Sequence, residues 1–174
     1  MTNLEKLTHI SLIALSCVSM ALLIEGRIAR SHNQTMIARP ISERDFVGRT
    51  ISVSGVDWHS APLTLVLHLS STCPYCDQSM PLYQKLAAAR AQHKANVALV
   101  VSSVDDVETM QKHLAQRQVS VDRVISDNLD SSRITITPGL LIVDSSGLVV
   151  RAFFGKLDHS GETELLRIVE RGAV

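Results

Sequence analysis

The order of apolar runs and helical patterns predicts an α/β domain with a central mixed sheet and helices on both faces. Two apolar runs, Leu63–Leu69 and 96–101, are each followed by a helical pattern, as in parallel strands that are linked by helices. Two later runs, 140–143 and 148–154, are joined by the turn 144–147, which predicts an antiparallel hairpin. Parallel strands that share a sheet with a hairpin make that sheet mixed.

Three helices are predicted between and after these strands. The first covers about residues 74–93, and Pro81 inside it predicts a kink, because proline cannot donate the helical hydrogen bond. The second begins after Asp105, which we expect to cap it, because Glu108 follows three positions later as in a capping box. The third covers about residues 160–171 and places apolar side chains at helical spacing.

The 174-residue chain is predicted to have three parts. Residues 1–25 are predicted to be a transmembrane anchor and residues 26–45 a polar linker. Residues 46–174 form one soluble domain, which is long enough to bury a core. Near the start of that domain, residues 50–54 alternate between apolar and polar side chains, which predicts a short strand or half of a hairpin.

The predicted anchor is centred on residues 7–24, which contain no Lys, Arg, Asp or Glu. As a helix they would span about 27 Å, close to the thickness of the hydrocarbon core of a bilayer. A cleaved signal peptide, a lipoprotein site at Cys17 and a buried core helix are alternatives, but an uncleaved single span fits best. The positive-inside rule alone favours a cytoplasmic domain, since Lys6 precedes the span whereas Arg27 and Arg30 follow it.

Composition excludes some function classes. The 17 basic and 17 acidic residues balance, which argues against a nucleic-acid-binding surface. The chain has three cysteines, and only Cys73 and Cys76 lie outside the predicted anchor. The soluble domain therefore has no structural disulfides, and this pair must work alone.

The motif Cys73-Pro74-Tyr75-Cys76 follows the first predicted strand and begins the first predicted helix. At the amino end of a helix, unpaired backbone N–H groups and the positive end of the helix dipole favour a thiolate. Pro74 suits the first helical turn, because its missing N–H is not needed there. The motif predicts a reversible thiol–disulfide centre, with Cys73 as the nucleophile and Cys76 as the resolving cysteine.

Two cysteines three positions apart could also be half of a metal site. Tetrahedral zinc needs four ligands, and the sequence has no second CxxC or HxxxH motif, so no metal and no cofactor is expected. Copper(I) held by the two thiolates and a histidine such as His59 or His159 is the other metal hypothesis. The chain would then be a metallochaperone or a non-catalytic binding module instead of an enzyme.

The sequence resembles the thioredoxin fold. Four features carry the resemblance: the strand that leads into the CPYC motif, the proline inside the first helix, the pair Thr137-Pro138 before a strand, and the terminal hairpin with its helix. The resemblance implies that Pro138 follows a cis peptide bond and lies against the cysteines. It also implies that Thr137 and Pro138 form the substrate-binding edge, with Pro74 and Tyr75 beside them.

The predicted anchor and the stretch 134–147 are most similar to the TlpA/ResA-type branch of this superfamily, whose members are membrane-anchored thiol–disulfide oxidoreductases. The resemblance implies an enzyme in the bacterial cytoplasmic membrane, with its catalytic domain in the periplasm, that acts as a reductant. Its partners would be the disulfides or dithiols of client proteins and a membrane or soluble electron-donor protein.

The sequence departs from that branch around the motif. Thr72 replaces the usual Trp before the first cysteine, and Tyr75 replaces the usual Pro before the second. Leu67 stands where many thioredoxins have a buried acidic residue. His68 lies on the opposite strand face from Leu67, so we interpret it as a core or edge histidine.

Overall fold

The computed structural model describes residues 42–93, 96–126 and 134–174. The predicted anchor at residues 7–24 and most of the predicted linker lie outside these ranges. Among the described residues, no helix is both long and apolar enough to cross a membrane. At the end of the predicted linker, Glu43–Asp45 form a short 3-10 helix. Ser42 donates its backbone N–H and its hydroxyl to the Asp45 carboxylate at 2.8 and 2.9 Å, which fixes the start of that turn.

A mixed sheet forms the centre of the described domain, as predicted, and it has five strands. Its strands are β1 (Leu63–Leu69), β2 (Val97–Ser103), β3 (Arg123–Ser126), β4 (Gly139–Asp144) and β5 (Val149–Phe154). Their order across the sheet is β3-β2-β1-β4-β5. β1, β2 and β3 run parallel, whereas β4 is antiparallel to both β1 and β5. β1 is therefore central, and all seven of its residues are buried.

The described helices are α1 (Pro74–Gln78), α2 (Met80–His93), α3 (Val107–Gln116) and α4 (His159–Arg171). The first predicted helix is thus divided into α1 and α2 at Ser79. Pro81 explains the break, because its ring lacks an N–H and crowds the carbonyl four residues earlier. The N–H of Ser79 closes α1 by donating to the carbonyls of Tyr75 and Cys76, both at 3.1 Å.

The cap of α3 is one residue later than predicted. Asp106 caps the helix, and its carboxylate accepts the N–H of Thr109 at 2.8 Å. The prediction of Asp105 as the cap is therefore wrong. The Asp105 carboxylate instead accepts the N–H of Ser71, at 2.5 Å, from the loop that follows β1.

The two faces of the sheet are covered by different parts of the chain. One face carries the odd-numbered residues of β1, and buried side chains from all four described helices pack against it: Cys76 of α1, Tyr83 of α2, Met110 of α3 and Leu165 of α4 are examples. On the other face, Val66 and Leu141 pack against Phe46, Ile51 and Trp58. Among the described residues, the α-helices therefore cover one face and the segment 46–58 covers the other, so the prediction of helices on both faces is not confirmed for this part of the chain.

Two further elements differ from the prediction. Residues 50–54 do not form a strand, and Thr50 makes only a single bridge to Leu148. Their alternation reflects burial instead, since Ile51 and Val53 enter the core of the second face. β3 has no counterpart in the prediction, because its four residues begin with the exposed Arg123 and contain no fully buried side chain.

Candidate active site

The loop between β1 and α1 carries the CPYC motif at the carboxyl edge of the parallel strands. Cys73 donates its N–H to the Ser70 carbonyl at 3.2 Å, and the hydroxyls of Ser70 and Thr72 lie 3.0 Å apart. The N–H of Ser71 donates to the carboxylate of Asp105, which lies two residues after the end of β2. The ends of two neighbouring strands therefore fix the loop that leads to the first cysteine.

Cys73 is the N-cap residue of α1. Its backbone is extended, with φ −82° and ψ 116°, and its Sγ accepts the N–H of Cys76 at 3.3 Å. Pro74 occupies the start of the helix, as predicted. The Cys73 sulfur thus lies in the position where a helix offers N–H groups that have no partner inside the helix, and these groups favour its negative form.

The distant pair Thr137-Pro138 lies beside the same sulfur. The peptide bond between them is cis, as the resemblance implies. The Cys73 thiol donates to the carbonyl oxygen of Thr137 at 3.3 Å. The register of the sheet explains this contact, because His68 near the end of β1 pairs with Gly139 at the start of β4. Residues that follow β1 and residues that precede β4 therefore meet at one edge.

The two cysteines, both free thiols, have opposite environments. Cys73 is partly exposed, whereas Cys76 is 0% exposed. Burial raises the pKa of Cys73, but hydrogen bonds from the side chains of Thr137 and Cys76 and from the backbone of Cys76 and Tyr75 outweigh it. The net pKa of Cys73 is therefore below its ordinary value of 9.0. Burial raises the pKa of Cys76 to about 12, against a hydrogen bond from the backbone of Ser70 and with a further contribution from the adjacent Cys73.

This contrast suits thiol–disulfide exchange. The thiolate is the nucleophile in such reactions, so the accessible and more acidic Cys73 is the sulfur that can attack an external disulfide. Cys76 is shielded from solvent but lies in the first turn of the same helix, and its N–H is hydrogen-bonded to Cys73 Sγ, so it can reach a disulfide formed on Cys73. The structure brings the predicted site residues together at one edge of the sheet.

The surface around the first cysteine is partly apolar. Pro74 and Tyr75 are exposed, Tyr75 to 58%, whereas Thr137 is half-buried and Pro138 is buried. Val104 is 53% exposed and follows β2 directly, and its N–H is hydrogen-bonded to the end of β1 at 3.0 Å. No sequence motif marks Val104; its position after a buried strand is the one signal that could have identified it.

Two more residues at the site were not predicted to belong to it. The capping-box pattern predicts Asp105 to be a helix cap, but its carboxylate holds the loop before the first cysteine. Tyr83 of α2 is 0% exposed and lies in the same apolar cluster as Cys76. An aromatic residue at helical spacing is typical of any core, so the sequence pattern alone does not separate Tyr83 from its neighbours.

The residues just before the motif are buried as interpreted. Leu67 is 0% exposed, so an apolar side chain occupies the position where many thioredoxins have an acid. His68 is 2% exposed, and its Nδ1 lies 3.5 Å from the hydroxyl of Ser102 on β2. This environment agrees with the interpretation of His68 as a core histidine.

The copper hypothesis needs a third ligand. Within residues 42–93, 96–126 and 134–174, no group of three or more His, Cys, Asp or Glu side chains could hold a metal ion. His59 and His159 are both exposed and do not join the cysteine pair in such a group. Among the described residues, the two cysteine sulfurs therefore have no third metal ligand beside them.

No protein-family model matches the chain, and no curated protein matches it significantly. Solved structures do match. The thioredoxin domain of a thiol-disulfide oxidoreductase from Bacteroides vulgatus is similar with a TM-score of 0.55 and 19% identity, over 77% of this chain and 99% of that one. StoA from Bacillus subtilis is similar with a TM-score of 0.52 and 16% identity, over 69% and 94% of the two chains. A thiol:disulfide interchange protein from Bacteroides sp. has a TM-score of 0.53 and 19% identity, over 72% and 84%. The fold is therefore thioredoxin-like.

Proposed function

We propose that the chain is a thiol–disulfide oxidoreductase that exchanges disulfides with client proteins through Cys73 and Cys76. The observation that carries this proposal is the contrast between two sulfurs in one helical turn. Cys73 is accessible and its pKa is lowered, whereas Cys76 is fully buried and its pKa is raised to about 12. The thioredoxin-like fold, shared with structures named as oxidoreductases and interchange proteins, supports it.

The reaction follows from which sulfur is accessible. The Cys73 thiolate attacks one sulfur of a client disulfide, so a bond forms to Cys73 Sγ and the client S–S bond breaks. The departing client sulfur leaves with the electron pair and takes up a proton. Cys76 then attacks Cys73 Sγ, forms the internal disulfide and releases the other client sulfur. The client gains two electrons and the dithiol of the protein loses them.

The client segment would bind along the edge formed by Thr137 and Pro138. An extended segment can pair with the backbone of Thr137, as in other cases of strand addition at a sheet edge. Pro74 and Tyr75 would contact it from the opposite side, and the exposed Val104 offers an additional apolar surface. These contacts would hold the client disulfide against Cys73.

We also propose that the enzyme is a reductant, anchored in the bacterial cytoplasmic membrane by residues 1–25, with its domain of residues 46–174 in the periplasm. The uncharged stretch 7–24 and the resemblance to TlpA/ResA-type proteins support this proposal. A reductant must itself be reduced again, so its partners would include a membrane or soluble electron donor as well as client proteins. A membrane-impermeant thiol reagent should label Cys73 in intact spheroplasts. Labelling only after lysis would contradict this orientation.

Exchange with a disulfide-bonded peptide tests the activity. The matched control is the full-length protein with Cys17→Ser, in which Cys73 and Cys76 are the two remaining cysteines. It should open the peptide disulfide at the same rate as the unmodified chain. In that background, Cys73→Ser should abolish exchange. Cys76→Ala should stop at a mixed disulfide, seen as a mass increase equal to one peptide. Exchange that persists in Cys73→Ser would overturn the proposal.

Equilibration against glutathione tests the direction. A reductant should have a potential in the range of thioredoxin, about −270 mV, whereas strong oxidants lie near about −120 mV. A potential at the oxidising end would keep the exchange reaction but reverse the proposed direction.

A further inference from the structure

Tyr83 has an unexplained hydroxyl in the core beside the cysteine pair. Its side chain is 0% exposed and belongs to the same apolar cluster as Cys76, with Cys73 packed against that cluster. Among the described residues, its Oη has no hydrogen-bond partner. A buried hydroxyl without a partner is unfavourable, and phenylalanine would fill the same space without that cost. The hydroxyl therefore requires an explanation.

The path of the chain places Tyr83 on the same helix face as Cys76, in the same apolar cluster. Cys76, Ser79 and Tyr83 are separated by three and then four positions, which is the spacing of one helix face, and all three are buried. Ser79 stays close to helical geometry, with φ −91° and ψ −4°, so the break between α1 and α2 does not turn Tyr83 away. The Ser79 hydroxyl donates its only proton to the Tyr75 carbonyl at 2.8 Å, so that proton is not offered to the phenol.

The sulfur of Cys76 changes as an acceptor during the proposed reaction. A neutral thiol is a weak hydrogen-bond acceptor, whereas a thiolate accepts a strong, charge-assisted bond. A phenol without a partner in the dithiol form would therefore gain one when negative charge develops on Cys76. Such a donor, already in place, stabilises the reacting state more than the resting state.

We propose that Tyr83 is a catalytic residue for the resolving step, whose hydroxyl donates a hydrogen bond to Cys76 Sγ as that sulfur attacks the mixed disulfide. The inference rests on the proposed function. In this step the Cys76–Cys73 bond forms and the bond from Cys73 to the client sulfur breaks. The electron pair goes to the client sulfur, which receives the proton that Cys76 loses. Tyr83 keeps its own proton throughout.

The ionisation of Tyr83 agrees with a donor that is not an acid. Burial raises the pKa of Tyr83 and the charge of Cys76 raises it further. The Ser79 hydroxyl offsets part of this increase, although its proton is donated to the Tyr75 carbonyl and it forms no hydrogen bond with the phenol. The phenol is therefore protonated across the range in which thiols react.

Reaction with Ellman's reagent separates the two steps in one experiment. Attack by Cys73 releases a first thionitrobenzoate and leaves a mixed disulfide, and attack by Cys76 releases a second. We use the full-length Cys17→Ser protein with and without Tyr83→Phe. The second release should be slower by about tenfold or more in Tyr83→Phe, since a hydrogen bond to a charged group has an effect of that order. The first release should stay within about twofold, and the pH profile of the second should shift upward.

Thermal unfolding and a second variant exclude a purely structural role. Tyr83→Phe should melt at the same or a higher temperature, because it removes an unpaired buried hydroxyl and no packing. Ser79→Ala should slow the second release less than Tyr83→Phe. The inference is overturned if the second release is unchanged in Tyr83→Phe, if both releases slow together with a lower melting temperature, or if Ser79→Ala has an equal effect.

These outcomes are distinct from failure of the proposed function. If the chain is not an oxidoreductase, the unsubstituted pair itself will not reduce a disulfide peptide and will not give a second release. If only the role of Tyr83 is wrong, the unsubstituted pair gives both releases and Tyr83→Phe gives them at the same rates.

Discussion

Selective alkylation of the two cysteines is the most direct test of the site. At pH 7, a thiol with the ordinary pKa of 9.0 is about 1% ionised. Cys73 lies below that pKa, so its thiolate fraction is higher. Cys76, with a pKa of about 12, is about 0.001% ionised at the same pH. Ionisation alone therefore favours Cys73 by at least about 1,000-fold.

Intrinsic reactivity reduces this preference but does not reverse it. A more basic thiolate is more nucleophilic, so over three pKa units this effect increases the relative rate of Cys76 by a factor of about 15 to 30. The net preference for Cys73 is then at least about 30- to 60-fold. Cys76 is also 0% exposed, whereas Cys73 is partly exposed, so steric access increases the difference.

The assay uses single-cysteine variants of the full-length Cys17→Ser protein. Cys76→Ser leaves Cys73 with a small hydroxyl beside it, and Cys73→Ser leaves Cys76 alone. Iodoacetamide uptake, followed by mass, should be at least about 30-fold faster for Cys73 at pH 7. The rate for Cys73 should rise with pH and level off below pH 9.0, whereas that for Cys76 should still be rising at the highest pH tested. Rates within about fivefold of each other at pH 7 would refute the assignment of roles.

Three further predictions concern stability. Leu86 is 1% exposed in the core, so Leu86→Ala should lower the free energy of unfolding in urea by about 2–5 kcal/mol and leave the pH profile of Cys73 alkylation unchanged. A loss below about 1 kcal/mol would contradict the place of Leu86 in the core. Asp158→Ala removes the carboxylate that accepts the Gly161 N–H at 2.8 Å at the start of α4 and should cost about 0.5–2 kcal/mol, whereas Asp158→Asn should cost little. Above pH 9.0, the free energy of unfolding of the dithiol form should fall with rising pH more steeply than that of Cys76→Ala. The reason is that Cys76 stays protonated in the folded state up to about pH 12 but ionises near pH 9.0 when unfolded. Equal slopes of unfolding free energy against pH for the two proteins would contradict the raised pKa.

The elements that were predicted correctly are those with a strong local signal. β1 has the predicted bounds, because a continuous apolar run of seven residues is typical of a strand buried on both faces. The hairpin of β4 and β5 follows from its turn, where Asp144 accepts N–H bonds from Ser146 and Leu148 and Gly147 adopts a φ of +83°. These features depend on residues close together in the chain.

The errors arise where a local pattern has two physical causes. Two structures give the alternation at residues 50–54: a paired strand, and an unpaired segment that buries every second side chain. The structure shows the unpaired segment. Asp105 and Asp106 are adjacent and chemically identical, so the capping-box pattern predicts the cap one residue too early. Only the tertiary contact of Asp105 with Ser71 distinguishes them.

The site itself depends on strand order, which local patterns do not determine. Cys73 and Thr137 are 64 positions apart, and they meet because β1 and β4 are antiparallel neighbours with His68 opposite Gly139. In the sequence, this adjacency was available only through the resemblance to the thioredoxin fold. Tyr83 shows the reverse case, since no resemblance marks it and only its unpaired buried hydroxyl distinguishes it from a core aromatic residue. A buried polar group without a partner is therefore the more informative signal for residues that are specific to this chain, because it reports a requirement that packing alone does not create.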